Sequence, residues 1–207
     1  MQSVVQPVVH APPRRVLTLG GSFNPIHVGH LVCARAAAEA AGYTAVRLMP
    51  AGTNPHKPTA DMATAVHRLT MCQNAVAGDS FYAVDAREVQ RSGASFTIDT
   101  AFEISGSSGE RVAWLIGADL LPRLHTWHRF AELLLHIDLV VMRRGGHTIN
   151  LHDLDPRVAT IAEASVQVPS IDVSSTDIRR RVRTGLSIEH LVPPAVARHI
   201  ANHDLYR

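Results

Sequence analysis

The chain has 207 residues, 46% of them hydrophobic and 18% charged, with 20 basic side chains against 18 acidic ones and a formal net charge of +2. Such a length carries one sizeable domain, and such a composition builds a real core. The even charge balance argues against a nucleic-acid coat or a membrane-surface binder, and no apolar run approaches the roughly 20 residues of a membrane span. In chain order, residues 1–13 read as a flexible leader, because they lack the basic start and long apolar stretch of a signal peptide. A strand is predicted over 15–19, a helix over 28–41 that stops at Gly42, and a strand over 45–49. The polar loop 50–58 leads to a helix over 61–77, closed by Gly78, with Val66, Leu69, Met71 and Val76 as its predicted buried positions. A strand over 81–86, a turn at Ser92-Gly93 and a helix over 97–104 follow. The next strand, 111–116, ends in Gly117-Ala118-Asp119. Short helices over 120–124 and 129–134 then lead to a strand over 137–142, closed by Arg143-Arg144-Gly145-Gly146. The remainder reads as a helix over 156–164, a strand over 166–169, a helix from the Ser174 segment to Gly185, and a last helix starting at Pro193.

This alternation of strands and helices predicts an α/β fold, a doubly wound parallel sheet with helices on both faces. Residues 14–207 form its single domain, with 186–207 as a C-terminal helical extension. Cys33 and Cys72 fall on apolar helical faces and read as reduced core thiols of a cytoplasmic protein. The 13 histidines are many but scattered, with no H-E-x-x-H and no Cys/His cluster, so no protein-held metal is expected. In open α/β sheets ligands bind outside the carboxyl ends of the strands. That rule gathers the loop after the first strand, Lys57, Asp119 and the Ser174 segment on one rim.

Gly20-Gly21-Ser22-Phe23-Asn24-Pro25-Ile26-His27-Val28-Gly29-His30 carries the most information. It is neither a Walker A loop nor a dinucleotide glycine fingerprint. Glycines let a backbone approach a ligand closely, and a helix N-terminus offers unpaired N–H groups and a positive dipole end. Histidines three apart on the first helical turn share one face and can both meet a phosphate. Ser174-Ser175-Thr176-Asp177-Ile178-Arg179 is a second helix start, with a capping hydroxyl and an arginine one turn in that can grip phosphate through two N–H bonds.

The first segment, Gly-x-Phe-x-Pro-x-His-x-Gly-His, resembles a signature of the nucleotidyltransferase superfamily, whose H-x-G-H pair (here His27 and His30) holds ATP phosphates. The second resembles that superfamily's S-S-T-x-x-R. Three more segments are similar to elements of bacterial nicotinate-nucleotide adenylyltransferases: Ser95-Phe96-Thr97-Ile98-Asp99-Thr100, Leu115-Ile116-Gly117-Ala118-Asp119 with Thr126-Trp127, and Asn54-Pro55-His56-Lys57. All five stand in the family's order. The resemblance implies a Rossmann-like nucleotidyltransferase fold, with ATP held by Gly20, Gly21, Ser22, Phe23, His27, His30 and Lys57 on one side. Gly117, Asp119, Ser174, Ser175, Thr176 and Arg179 hold it on the other. It implies nicotinate mononucleotide on Ser22, Asn54, Lys57, Phe96, Thr97, Trp127 and His128, and catalytic roles for His27, His30 and Arg179. Asp119 either meets a ribose hydroxyl or the metal shell or caps its helix. Trp127 either stacks on the cationic pyridine ring or fills the core. Lys57 either meets a phosphate or is a solvated loop charge. The sequence departs from the family at Phe96 and His128, where tyrosine is usual.

The implied reaction is ATP plus nicotinate mononucleotide giving deamido-NAD and pyrophosphate. The acceptor phosphate, with a second pKa of about 6, is largely a dianion at neutral pH and needs no general base. Alignment and charge neutralisation at the α-phosphorus then do the catalysis. Mg²⁺ is implied, carried mainly by ATP phosphates and water. The rivals are a nicotinamide-mononucleotide or another adenylyltransferase of the superfamily, pantetheine-phosphate adenylyltransferase among them, and a non-catalytic nucleotide sensor. Partners are these small molecules, with neither nucleic acid nor membrane, and with room left for a homo-oligomer.

Overall fold

The strand β4 (Val112–Gly117) reads Val-Ala-Trp-Leu-Ile-Gly, an apolar run without interruption, and the fold shows why. Its side chains alternate between two separate cores. Ala113 and Leu115 join one cluster, and Val112, Trp114 and Ile116 join the other. A strand covered on both faces has no polar side to show. The structure, a computed structural model, describes residues 14–53, 61–106, 109–145 and 154–207. Asn54, Lys57 and the expected leader 1–13 lie outside the described residues.

Around β4 the other strands are β1 (Val16–Gly21), β2 (Ala45–Pro50), β3 (Tyr82–Val84), β5 (Ile137–Arg144) and β6 (Val166–Val168). They form one six-stranded sheet in the order β3-β2-β1-β4-β5-β6, and every pair is parallel. The helices are α1 (Val28–Ala40), α2 (Ala65–Ala75), α3 (Arg87–Gln90), α4 (Thr97–Ser105), α5 (Phe130–His136), α6 (Pro156–Glu163), α7 (Ser175–Arg183) and α8 (Pro194–Asn202). The doubly wound α/β fold is thus as expected. Strand order reverses between β1 and β4, where Thr18 pairs with Trp114 and Leu19 with Leu115. That reversal opens a crevice at the carboxyl ends of the two strands, the place where such sheets bind ligands.

Three local differences have physical causes or consequences. The short helix expected over 120–124 is a 3-10 helix extending over 118–126, with Pro122 inside it removing a donor. The four-residue α3 has no counterpart among the predicted elements. The third difference concerns α2, which starts at Ala65, behind an N-cap Thr64 whose hydroxyl accepts from His67 N–H. This start places Arg68, Met71 and Cys72 on the buried stripe, at the i, i+3, i+4 spacing of one helical face. Met71 is buried as expected, but Val66 is 66% exposed, and Leu69 and Val76 are only half-buried. Cys33 and Cys72 are both buried free thiols.

This register of α2 separates two substitutions. Met71→Ala empties a fully buried site and should lower the unfolding free energy by about 2–5 kcal/mol. Val66→Lys should change it by no more than about 0.5 kcal/mol. Urea midpoints of the two variants check the register, and comparable losses would contradict it.

Candidate active site

The first signature bridges the end of β1 and the start of α1. Its glycines make room, but the protein's own rings fill it. A Cβ on Gly20 would lie 2.8 Å from Trp114 Cζ2, and one on Gly29 would lie 3.1 Å from His27 Nδ1. Gly21 meets the Phe23 ring in the same way. Phe23 is buried with φ +45, a left-handed backbone that a bulky side chain rarely adopts, and its ring centroid stands 5.2 Å from that of His30, edge to face. His27, 4% exposed, is the residue before α1, and its ring stacks on His30 at 3.7 Å. His30 Nδ1 accepts the His27 backbone N–H at 3.2 Å. The two histidines are therefore a rigid pair with one shared face. The first amide of α1 is not available to an anion in this conformation, since Val28 N–H donates to Leu191 O at 3.0 Å.

The second signature docks directly on the first. Ser174 caps α7, its hydroxyl accepting from Asp177 N–H at 3.1 Å. Ser175 Oγ donates to Pro25 O at 2.8 Å, and Arg179 Nη1 donates to Asn24 O at 2.9 Å. Thr176 Oγ1 lies 3.5 Å from Arg179 Nη2. Ser174 and Thr176 are exposed, Ser175 and Arg179 half-buried. Segments some 150 positions apart in the chain are thus joined, a hydroxyl and a guanidinium of α7 donating to the backbone of the first signature.

Across the crevice, Gly117 ends β4 and a Cβ there would meet Asp119 Oδ1 at 2.3 Å, so that carboxylate folds back over the strand end. Trp127 closes the 3-10 helix and packs half-buried against the second core. The rings of Phe96 and His128 stack at 4.2 Å, with 28° between their planes. The two positions at which the sequence departs from the family pattern are therefore in contact. Phe96 precedes Thr97, the first residue of α4, and this segment is tied to the loop after β2. Gly52 N–H donates to Ser95 Oγ at 2.9 Å, and Ser95 N–H to Thr53 O at 2.8 Å. Two clefts of about 300 and 340 Å³ lie elsewhere, one between α1 and α2 and one at the amino-terminal ends of β1 and β4.

Burial, assisted by the positive charge of Arg144, presses the pKa of His27 down to about 4. The ring is therefore neutral near pH 7, a hydrogen-bond donor or acceptor rather than a cation. His27 Nδ1 and Arg179 Nε are buried with no hydrogen-bond partner among the described residues. Sequence reasoning missed Arg144, which ends β5 on this rim, and Arg68. Arg68 is 1% exposed and donates to Ser22 O and Gly52 O, both at 2.7 Å, and to Ala63 O at 3.1 Å. Its spacing to Met71 and Cys72 is a signal that could have exposed it. Tyr206, whose hydroxyl donates to Asn24 Oδ1 at 2.8 Å, carries no such signal.

Residues 18–181 match a cytidylyltransferase-like family profile. A protein of Bordetella avium named "Probable nicotinate-nucleotide adenylyltransferase" is 37% identical over 94% of this chain and 98% of its own. One of Salinibacter ruber with the same name is 36% identical over 91% and 95%. Among solved structures, a Plasmodium falciparum nicotinic acid mononucleotide adenylyltransferase complexed with NaAD superposes with a TM-score of 0.69, at 16% identity, over 93% of this chain and 97% of that one. The likeness extends over fold and length, and the matched span 18–181 contains both signatures: the chain belongs to the cytidylyltransferase-like family and, within it, to the nicotinate-nucleotide adenylyltransferases.

Proposed function

We propose that this chain transfers the AMP moiety of ATP to nicotinate mononucleotide, giving deamido-NAD and pyrophosphate in NAD biosynthesis. The observation that carries the reading is the joining of the two signatures, Ser175 to Pro25 O and Arg179 to Asn24 O, beside the stacked His27–His30 pair. An oxygen of the acceptor phosphate attacks the α-phosphorus of ATP. The new P–O bond forms as the α–β bridging bond breaks, and pyrophosphate leaves with the electron pair. No proton need be removed from a phosphate that is already a dianion.

The residues align and neutralise. His27 acts as a donor rather than a fixed charge. An unpaired buried acceptor is less costly than an unpaired donor, so we assign the proton of His27 to Nε2, away from the unpartnered Nδ1. His30, Arg179 and the α7 hydroxyls of Ser174, Ser175 and Thr176 meet the triphosphate together with Gly20, Gly21, Ser22, Phe23 and Lys57. Gly117 and Asp119 take the nucleoside side. Trp127, the Phe96–His128 stack, Thr97, Asn54, Lys57 and Ser22 take nicotinate mononucleotide, whose quaternary ring nitrogen favours an aromatic face.

The donor set fits a Mg²⁺ that arrives with ATP. Asp119 is exposed at the end of β4, whereas Asp61 and Asp177 are engaged by Arg183 and Arg180. One carboxylate is no octahedral cage, and Mg²⁺ sheds its waters reluctantly. Asp119 is the carboxylate that would meet such an ion, which would supply neutralisation of the triphosphate charge. No helix among the described residues is long and apolar enough to cross a membrane. Cys33 and Cys72, buried and not disulfide-bonded, support a reducing, cytoplasmic compartment.

Three measurements test this account. With ATP and Mg²⁺, the protein should release pyrophosphate when offered nicotinate mononucleotide, and more slowly or not at all with nicotinamide mononucleotide or phosphopantetheine. Silence with the first overturns the reading. His30→Ala should lower kcat by roughly 10²–10³ in a protein that still folds, destabilised by about 1–3 kcal/mol through the lost bond to the His27 N–H; unimpaired turnover would remove His30 from the reaction. The third test is pH. His27 titrates near 4 in the fold and near 6.5 unfolded, so below pH 6.5 the unfolded chain holds a proton the native state lacks. Its contribution to stability is complete above pH 6.5 and is lost as pH falls toward 4, by roughly 2–3 kcal/mol between pH 7 and 4.5. His27→Gln should flatten that part of the pH profile of urea unfolding.

A further inference from the structure

The scattered histidines of the sequence are not all scattered in space. His67 in the first turn of α2 meets two histidines from the C-terminal helix, His199 in α8 and His203 at its end. One ring nitrogen from each lies within 4.8 Å of those of the other two. The ring centroids are 5.3 Å apart for His67–His199, 5.0 Å for His67–His203 and 4.2 Å for His199–His203. The proposed reaction uses none of the three.

We propose that His67, His199 and His203 form a binding site for a divalent transition-metal ion of the Zn²⁺ class, which staples the C-terminal helix to α2. Three features of the cluster point there. First, His67 Nδ1 and His199 Nε2 are 3.1 Å apart. Metal–nitrogen bonds of about 2.0–2.1 Å at a tetrahedral angle separate two nitrogens by about 3.3 Å, so the pair already has the span of one edge. Second, His199 and His203 are four positions apart, the helical spacing that turns two imidazoles toward one ion. Third, His203 Nδ1 lies 3.0 Å from His199 O. Donation there fixes the tautomer and leaves Nε2 as the lone-pair atom, the arrangement that orients metal-bound histidines. His203 is exposed and follows the last helical turn, so its ring can close the remaining distance by rotation.

The proton count closes as well. In the metal-free pair, the ring nitrogen that donates across the 3.1 Å contact carries a proton. On binding, that ring moves the proton to its other nitrogen, and both facing atoms present lone pairs. Water takes the fourth position, as at other three-histidine centres. All-imidazole ligation selects Zn²⁺, Ni²⁺, Co²⁺ or Cu²⁺ over Mg²⁺ or Ca²⁺, which favour oxygen. The site sits next to the machinery without belonging to it. His67 precedes Arg68, and α8 leads to Tyr206, so an ion here ties together two supports of the first signature.

The test uses untagged full-length protein stripped with EDTA. One equivalent of Zn²⁺ should bind by calorimetry and raise Tm by roughly 5–10 °C at a free concentration near 100 Kd. Co²⁺ should give the visible absorption of a tetrahedral site, and Mg²⁺ should do neither. His203→Ala, at an exposed position, should weaken Zn²⁺ binding at least ~10-fold, cut the Tm shift at the same free Zn²⁺ to about half or less, and abolish the tetrahedral Co²⁺ bands. His199→Gln should do the same, and His125→Ala should not. The proposal is overturned if the parent binds no stoichiometric Zn²⁺, or if the binding, Tm shift and spectrum persist in His203→Ala.

Discussion

A single buried cation holds the rim in shape. Arg68 is enclosed in the protein interior, yet no carboxylate among the described residues pairs with it. Its guanidinium donates instead to three backbone carbonyls: Ser22 after β1, Gly52 after β2 and Ala63 before α2. Burial pushes its pKa down, but an arginine remains charged in a protein, so the positive charge must be balanced by those carbonyl dipoles. Hydrogen bonds to a charged group are worth about 1.5–3 kcal/mol each, and desolvating the cation takes back several. The net gain lies less in stability than in geometry. A planar fork with fixed donor directions sets the mutual positions of three loops, and losing it would strip three carbonyls of their donor at once. The neighbouring Cys72 thiol and Tyr206 hydroxyl are both kept protonated by burial, so neither competes with those carbonyls as an anionic partner.

The loop after β2 shows how far this fork reaches. Gly52 O accepts from Arg68, while Gly52 N–H and Thr53 O bond to Ser95. Ser95 then places Phe96, which stacks on His128. The groove thus has one wall built on Ser22 and another that runs through Gly52, Ser95 and Phe96, and both are referred to one guanidinium. A Cβ on Gly52 would come within 2.2 Å of Glu88 O, so no other residue lets the loop lie this close to α3. Rigid walls matter for a reaction whose chemistry is mostly alignment. Two polyanionic substrates gain little from acid–base groups and much from being held in line.

Much of this was legible in the sequence because it is periodic or local. The apolar runs, the helix cap at Ser174 and the two signatures each report on neighbouring positions, and the parallel order of strands follows from alternation. What escaped has partners far along the chain. The apolar count of α2 favours Val66, but packing selects the stripe through Arg68, because its carbonyl partners converge only after β1 and β2 have come together. The glycines of the first signature read as space for a ligand, whereas Trp114, Phe23 and His27 fill that space. The charge state of His27 is also non-local, since it depends on burial and on Arg144 at the end of another strand. The histidine cluster of α2 and α8 illustrates the same limit, with His67 and His199 132 positions apart.

Asn24 shows why the C-terminal segment belongs in any account of the groove. Its side-chain oxygen accepts from Ala63 N–H at 3.0 Å and from the Tyr206 hydroxyl at 2.8 Å, and its Nδ2 donates to Asp61 O at 3.0 Å. Its backbone oxygen accepts from Arg179. Four partners from three distant segments converge on one asparagine of the first signature, and a further contact, Val28 N–H to Leu191 O, ties the start of α1 to the same C-terminal region. Val192, Val196 and Ile200 anchor that region in the first core. The signature therefore divides its labour by residue type. An amide side chain with both a donor and an acceptor joins chain segments, which relieves the imidazoles of His27 and His30, stacked on one another just beyond it, of that structural task.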